Sequence, residues 1–333
     1  MEGTNNTRFE IRTDLAVEKK EDFKKEAREL SGVSLKEWYE RETQIKLTRV
    51  EILNNAGEQA MGKAKGTYMT LEARQMAKKD QDYHRQVSRE LAKRLKELAE
   101  KSTDKALEHI LVVGLGNPSV TPDSLGPRVL GNLCVTRHMD AEYGEGFLKE
   151  HNMTAISGIV PGVMAQTGME TAEIIRGVMD QTRPDLIIAI DALAARSVRR
   201  LGCTIQLTDT GIHPGSGVGN HRCGLTEKSL GIPVLAVGVP TVVGAAAIVQ
   251  DTVQAMVKAL ESGRSTKGMG KYLDSLNEDE QYALIRELLE PEFGPLYVTP
   301  PDIDETVKEL SFTISEAIHQ AFLPEPGCDG FPG

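Results

Sequence analysis

Two aspartates are the residues whose type and position could do chemistry in this chain. Asp123 lies in the segment VVGLGNPSVTPDSLGPRV (112–129), and Asp191 directly follows the apolar run 186–190 in LIIAIDALAA. Ligands bind outside the carboxyl ends of parallel strands, so we expect both carboxylates at one edge of a sheet. Two carboxylates that face one site share a proton, because neighbouring like charges do not both ionise cheaply. The ionised group can deprotonate a water while the protonated one polarises a carbonyl, as peptide hydrolysis requires.

A purely structural interpretation of both aspartates stays open, since each could cap the segment that follows it. The glycines before Asp123 do not form a nucleotide-binding loop. Gly114-Leu115-Gly116 lacks the third glycine of the dinucleotide fingerprint, and no Lys-Ser or Lys-Thr pair follows to complete a P-loop. Glycine lets the backbone turn sharply, so we expect this turn to place Asp123 over the sheet edge. Gly116 and Asn117 are candidate donors to the oxyanion of a tetrahedral intermediate.

A glycine-rich loop at 211–224 carries His213 and His221. We expect His213 to line the substrate cleft, since loops on a rigid scaffold often carry binding residues, although a plain connection is the alternative. No histidine has clear ligand spacing to Asp123 or Asp191, so neither a metal nor a cofactor is expected. The cysteines form no CxxC pair and no G-x-S-x-G elbow occurs, which disfavours a thiol or serine nucleophile.

The composition favours a soluble, cytoplasmic protein. The 333 residues carry a formal net charge of −10 and are 40% hydrophobic but only 5% aromatic, which suits an aliphatic α/β interior. An acidic chain argues against direct nucleic-acid binding, and it could attract a basic polypeptide. Residues 1–30 are mostly polar and charged, and no apolar run approaches a membrane span. We therefore expect neither a signal peptide nor a membrane segment.

The chain changes character near residue 106. Before this point charge dominates, with a helical apolar stripe at 75–103 and strand-like patterns at 45–53 and 67–71. After it, short β-branched runs alternate with helical stretches, which is typical of βαβ units. These strands are predicted at 110–113, 154–159, 186–190, 204–207 and 234–239, and helices at 125–137, 163–180, 241–261, 276–290 and 303–321. We predict an α/β fold, a three-layer αβα core with a mostly parallel sheet, plus an α+β N-terminal extension.

Several separated segments resemble the germination protease (spore protease) family of spore-forming bacteria. They are GLGNPSVTPDSLGPRV, IAIDALAARS, GVPTVV and YVTPPDID, preceded by RTDLAVE, and they follow the family's order over nearly the whole chain. The family shares its fold with the endopeptidases that mature nickel–iron hydrogenases, which also place acidic residues after two strands. The resemblance implies an endopeptidase in which Asp123 and Asp191 are the catalytic pair.

The resemblance also implies a substrate and a processing step. Members degrade small acid-soluble spore proteins at germination and cut after the acidic residue of a Thr-Glu-(Phe or Ile)-Ala-Ser-Glu type sequence. Residues 13–18 read Thr-Asp-Leu-Ala-Val-Glu, so self-processing of a zymogen is expected between Asp14 and Leu15. A basic side chain is expected to receive the acidic residue before the cut. The candidates are Arg128, Arg196 and Arg222.

A homotetramer in the cytoplasm of the forespore or spore core is implied as well. On this basis the chain divides into a propeptide at 1–14, an N-terminal α+β region at 15–105, a catalytic core with C-terminal helices at 106–323 and a flexible tail at 324–333. A metal-dependent maturation-type endopeptidase and a non-enzymatic spore structural protein are the alternatives. GLGNP and TRHM (136–139) are also similar to motifs of peptidyl-tRNA hydrolase, but there they lie closer together in a basic chain.

Overall fold

The computed structural model describes residues 13–18, 31–78, 80–215, 223–262 and 278–324. Within these ranges nine strands form one sheet in the order β1-β2-β3-β7-β8-β6-β4-β5, and β9 pairs with β8. The strands are β1 Val33–Glu40, β2 Ile45–Ile52, β3 Gly66–Glu72, β4 His109–Gly114, β5 Ala155–Ile159, β6 Leu186–Ala195, β7 Thr204–Thr208, β8 Val234–Gly244 and β9 Tyr297–Val298.

Parallel pairing defines one half of the sheet. β5, β4, β6 and β8 run parallel to one another, whereas β1, β2, β3, β7 and β9 pair antiparallel with their neighbours. Parallel strands are buried on both faces, which explains the nearly continuous apolar sequence of β6. The predicted α/β class is confirmed. β3 pairs with β7, so the N-terminal strands extend the same sheet as the core.

Helices cover both faces of the sheet. The helices are α1 Asn55–Met61, α2 Gln81–Ser102, α3 Leu125–Gly131, α4 Met139–Tyr143, α5 Phe147–Glu150, α6 Met164–Thr167, α7 Thr171–Thr182, α8 Glu227–Leu230, α9 Ala245–Ser262, α10 Glu278–Phe293 and α11 Ile303–Phe322. α2, α3 and α11 pack on one face, against strand residues such as Ile110 and Ile188. α7 packs on the other, against Leu111 and Ile187. Successive strand residues alternate between the two cores, which gives the three layers.

Several element boundaries differ from those predicted. β6 continues five residues past the predicted end at 190, because the residues from Asp191 onward remain paired with β8. The helix predicted at 163–180 is two helices, α6 and α7, and the one predicted at 125–137 ends at residue 131. Except for its first residue, the tail predicted at 324–333 lies outside the described residues, as does most of the propeptide. Among the described helices, none has the length and apolar character to cross a membrane.

Candidate active site

Asp191 lies within β6, opposite Gly238 of β8. Its side chain is only 7% exposed, and the backbone N–H of Ala192 donates to its Oδ1 at 2.9 Å. Removing a carboxylate from water is costly unless it is compensated, so natural proteins keep such groups chiefly where they do chemistry or pair. The position of Asp191 in an otherwise apolar strand therefore favours a functional role.

Asp123 reaches the same part of the sheet from a loop. It ends a short 3₁₀ turn, Thr121–Asp123, between β4 and α3. The loop is attached to β6, because Leu115 donates its N–H to the carbonyl of Ile190 at 2.8 Å, one residue before Asp191. The loop therefore holds Asp123 next to the strand that carries Asp191.

Gly116 and Asn117 support Asp123 from within its loop. Gly116 has φ +112°, and a Cβ there would lie 1.9 Å from the carbonyl oxygen of Asp123, so only glycine fits. Asn117 donates its backbone N–H to Asp123 Oδ2 at 2.7 Å. The structure thus places both predicted residues against Asp123, Gly116 at its backbone carbonyl and Asn117 at its carboxyl group. Their expected role as oxyanion donors stays a prediction.

Asp123 and Asp191 line one cavity of about 690 Å³, together with His213, Lys63 and Gln206. The cavity contains the predicted pair and the predicted histidine, which come from three separate parts of the chain. In the described part of the chain, no group of three or more His, Cys, Asp or Glu residues is arranged to hold a metal ion. The expectation of a metal-free site stays a prediction.

Asp14, from the predicted cleavage segment 13–18, forms part of the wall of this cavity. Asp14 donates its N–H to the carbonyl of Ala194 at 3.2 Å, and its Oδ2 accepts the N–H of Ala194 at 3.0 Å. Ala194 belongs to β6, three residues after Asp191. The predicted cleavage segment is therefore anchored on the strand that carries a predicted catalytic aspartate.

The carbonyl oxygen of Asp14 accepts two side-chain hydrogen bonds. Lys63 Nζ lies at 2.9 Å and Gln206 Nε2 at 3.2 Å. Gln206 also accepts the backbone N–H of Ala16 through its Oε1 at 2.7 Å. The peptide on both sides of Leu15 is thus fixed by one glutamine side chain.

The side chains that follow Asp14 are fully buried, with Leu15, Ala16 and Val17 each 0% exposed. Leu15 and Val17 join an apolar cluster that includes Leu193 and Tyr282. Full burial of a leucine or valine side chain contributes roughly 1.5–3 kcal/mol. The apolar part of the segment is therefore bound as tightly as a core element.

Glu18 ends the bound segment in a polar pocket and is 2% exposed. Its carboxylate accepts the backbone N–H groups of Arg196, at 2.9 Å, and Ser197, at 3.1 Å. The guanidinium of Arg200 lies 3.3 Å away, and the Thr13 hydroxyl donates to the same carboxylate. Burial nevertheless outweighs these contacts and raises the pKa of Glu18 above its ordinary value of 4.5. The pocket thus surrounds the Glu18 carboxyl group with hydrogen-bond donors.

Sequence reasoning missed Lys63, Gln206 and the Glu18 pocket. Gln206 is a polar residue within the apolar run 204–207, which is a usable signal, whereas Lys63 stands in MGKAKG without a distinctive pattern. Of the predicted basic partners of Asp14, Arg128 donates to Ser124 Oγ at 3.1 Å, Arg196 offers its backbone N–H to Glu18, and Arg222 lies outside the described residues.

An α/β fold with two aspartates in one cavity, and with Asp14 of the predicted cleavage segment in its wall, is suited to peptide hydrolysis. A family model described as germination protease matches residues 10–272 of this chain. The protein therefore belongs to the germination protease family, and it is an endopeptidase in class.

Individual germination proteases agree with this assignment. The chain is 48% identical to a germination protease of Caldanaerobacter subterraneus subsp. tengcongensis, over 94% of each chain. It is 45% identical to one of Clostridium tetani, over 94% of this chain and 96% of the relative, and 39% identical to one of Bacillus cereus, over 95% and 94%. A solved NiFe hydrogenase maturation protease, HycI of Thermococcus kodakarensis, superposes with a TM-score of 0.31 at 15% identity, covering 67% of this chain and 97% of that one.

Proposed function

We propose that this protein is an aspartic-type endopeptidase that initiates degradation of small acid-soluble spore proteins during germination. It is made as a zymogen that cuts its own chain between Asp14 and Leu15 and releases residues 1–14. The observation that carries the proposal is that Asp14, the residue before the expected cut, lines the same cavity as Asp123 and Asp191. The enzyme works in the cytoplasm of the forespore or spore core, as a homotetramer without metal or cofactor.

The segment itself supports the substrate class. The relatives are named germination proteases, and residues 13–18 carry an acidic residue, a large apolar residue, alanine and a final glutamate in order. The cavity wall receives the first carboxylate at Ala194, and the pocket formed by Arg196, Ser197 and Arg200 receives the last. One binding site therefore serves both the propeptide and a substrate of similar sequence.

The proposed reaction uses the two aspartates as a pair. The ionised aspartate takes a proton from a water molecule as the water oxygen attacks the carbonyl carbon of Asp14. The carbonyl electron pair moves onto the oxygen, which gives a tetrahedral intermediate. The protonated aspartate then gives its proton to the nitrogen of Leu15, and the C–N bond breaks. The products are a new carboxyl group on Asp14 and a new amine on Leu15.

Intact mass against time at mildly acidic pH tests this proposal on purified wild type, Asp123→Asn and Asp191→Asn. We expect wild type to lose residues 1–14, with or without a chelator, and each variant to slow by at least about a hundredfold. Circular dichroism checks that the variants are folded. Normal trimming by both variants would overturn the aspartate assignment, and chelator inhibition of wild type would favour the metal-dependent alternative.

The non-enzymatic alternative has a separate test. A structural spore protein would leave a purified small acid-soluble spore protein intact, whereas we expect the trimmed enzyme to cut it after an acidic residue. Fragment masses identify the cut position. Size-exclusion chromatography with light scattering tests the proposed tetramer on the same preparation.

A further inference from the structure

The donors at the carbonyl of Asp14 suggest a role beyond holding the segment. Helix α1 ends at Met61, and the next residue, Gly62, caps it in the left-handed conformation with φ 59°. Lys63 follows this turn and lines the cavity. Gln206 lies within strand β7 and lines the same cavity. Two elements far apart in sequence thus converge on one oxygen atom, at 2.9 and 3.2 Å.

Lys63 lies beside an aromatic ring. Its ammonium lies 5.8 Å from the centre of the Tyr68 ring, whose face attracts cations. Burial raises the pKa of Tyr68 to about 12, so this phenol stays neutral and keeps the proton of its own hydrogen bond. Tyr68 is held by its own bonds, donating to the carbonyl of Ala64 at 2.9 Å and accepting from Thr210 at 3.2 Å.

We propose that Lys63 and Gln206 form the oxyanion-binding site of the enzyme. The inference rests on the proposed cleavage between Asp14 and Leu15, which makes the Asp14 carbonyl oxygen the atom that becomes negatively charged. Both side chains contact that oxygen, so both are catalytic residues in this assignment.

The physical reason is differential binding of the transition state. In the uncut segment Lys63 and Gln206 meet a neutral carbonyl oxygen, whereas in the tetrahedral intermediate the same oxygen carries a full negative charge. An ammonium and an amide placed in advance stabilise that charge more than they stabilise the carbonyl, which lowers the barrier. The protonated aspartate is then left to protonate the Leu15 nitrogen, since it is not needed at the carbonyl oxygen.

The variant Lys63→Met tests the proposal, because it keeps much of the side-chain length and removes the charge. Loss of one oxyanion donor typically slows an enzyme by about 10²–10³-fold, and we expect self-trimming to slow by that amount. Lys63→Arg keeps the positive charge and should recover part of the rate. Lys65→Met is the matched control, since Lys65 is an exposed neighbour two residues away, and it should trim at the wild-type rate.

A second measurement separates catalysis from binding of the segment. Hydrogen exchange over residues 13–18 is compared between Asp191→Asn and the double variant Asp191→Asn, Lys63→Met, neither of which should trim. Equal protection of the segment, combined with slow trimming of Lys63→Met alone, supports the oxyanion role. Trimming of Lys63→Met within threefold of wild type overturns it. Equal loss of protection and of rate also overturns it, because Lys63 would then only hold the segment in place.

Gln206→Glu gives an independent arm. This change keeps the oxygen that accepts from Ala16 and replaces the donating amide nitrogen, so we expect slow trimming with the segment still protected. Failure of the proposed function looks different from failure of this inference. If the proposed function is wrong, wild type will not cut between Asp14 and Leu15, or wild type and Asp191→Asn will trim at equal rates.

Discussion

Glu18 and Arg200 form an ion pair in which both side chains are almost fully removed from solvent. Their nearest atoms, Oε1 and Nε, are 3.3 Å apart, and the two side chains are 2% and 9% exposed. A buried charged pair of this kind contributes little net stability, and the Arg200 guanidinium also lies 3.3 Å from a carboxylate oxygen of Glu72. Glu18 is thus held by Arg200 together with the backbone N–H groups of Arg196 and Ser197.

We expect Glu18→Ala to weaken binding of residues 13–18 and to slow self-trimming by at least about tenfold. The change removes the acceptor of two backbone N–H groups and of the Arg200 guanidinium, and each buried donor left without its acceptor costs about 1–3 kcal/mol. Intact mass against time gives the rate. Glu42→Ala removes an exposed carboxylate outside the cavity and is the control. Trimming of Glu18→Ala at the control rate would contradict the role of the pocket.

The raised pKa of Glu18 predicts that binding of the segment is stronger in acid. Because the pKa is higher in the folded protein than in the unfolded chain, the stabilising contribution is fully present below about 4.5 and is lost as the pH rises through the raised pKa. The comparison uses Asp191→Asn with and without Glu18→Gln, which does not titrate. The difference in their unfolding free energies should fall as the pH rises. A difference that is constant or grows with pH would contradict this prediction.

Gly116→Ala should displace the loop that carries Asp123. The new Cβ would lie 1.9 Å from the Asp123 carbonyl oxygen, at a backbone φ of +112°, and such strain costs about 1–3 kcal/mol. We expect lower stability in denaturant titration and slower trimming together. Gly177→Ala is the matched control, because its Cβ would meet no atom within 4 Å and α7 should gain roughly 0.5–1 kcal/mol. If Gly116→Ala showed the same stability and trimming rate as Gly177→Ala, the close approach of the Asp123 carbonyl oxygen would not be what requires glycine at position 116.

A second pH-dependent prediction concerns His319, which should make the folded protein less stable in acid. Its Nε2 accepts the backbone N–H of Cys134 at 2.8 Å, which requires a neutral ring. Burial lowers the pKa of His319 below 6.5. The contribution to stability is therefore present above 6.5 and is lost as the pH falls through the lowered pKa. Replacement by glutamine, which can accept the same bond without titrating, should remove this part of the pH dependence of unfolding, whereas His151→Gln at an exposed site should not.

Much of the fold could be predicted from patterns within short windows. Apolar runs in 186–190 and 234–239 marked the central strands because a strand buried on both faces needs apolar residues at every position. The ends of β6 and β8 were missed, since pairing with each other extends both strands through residues that do not follow the pattern. The end of a strand is decided by its neighbour rather than by its own sequence.

The sequence by itself determined the candidates, namely two carboxylates and one cleavage segment. Asp123 and Asp191 were predicted from their positions beside apolar strands, and residues 13–18 from their similarity to a cleavage sequence. Only the tertiary structure decided what receives that segment. Gln206 contacts Ala16 across 190 residues of chain, and Lys63 reaches Asp14 across 49. Contacts at such separations depend on how the sheet is ordered, and no local pattern encodes that order.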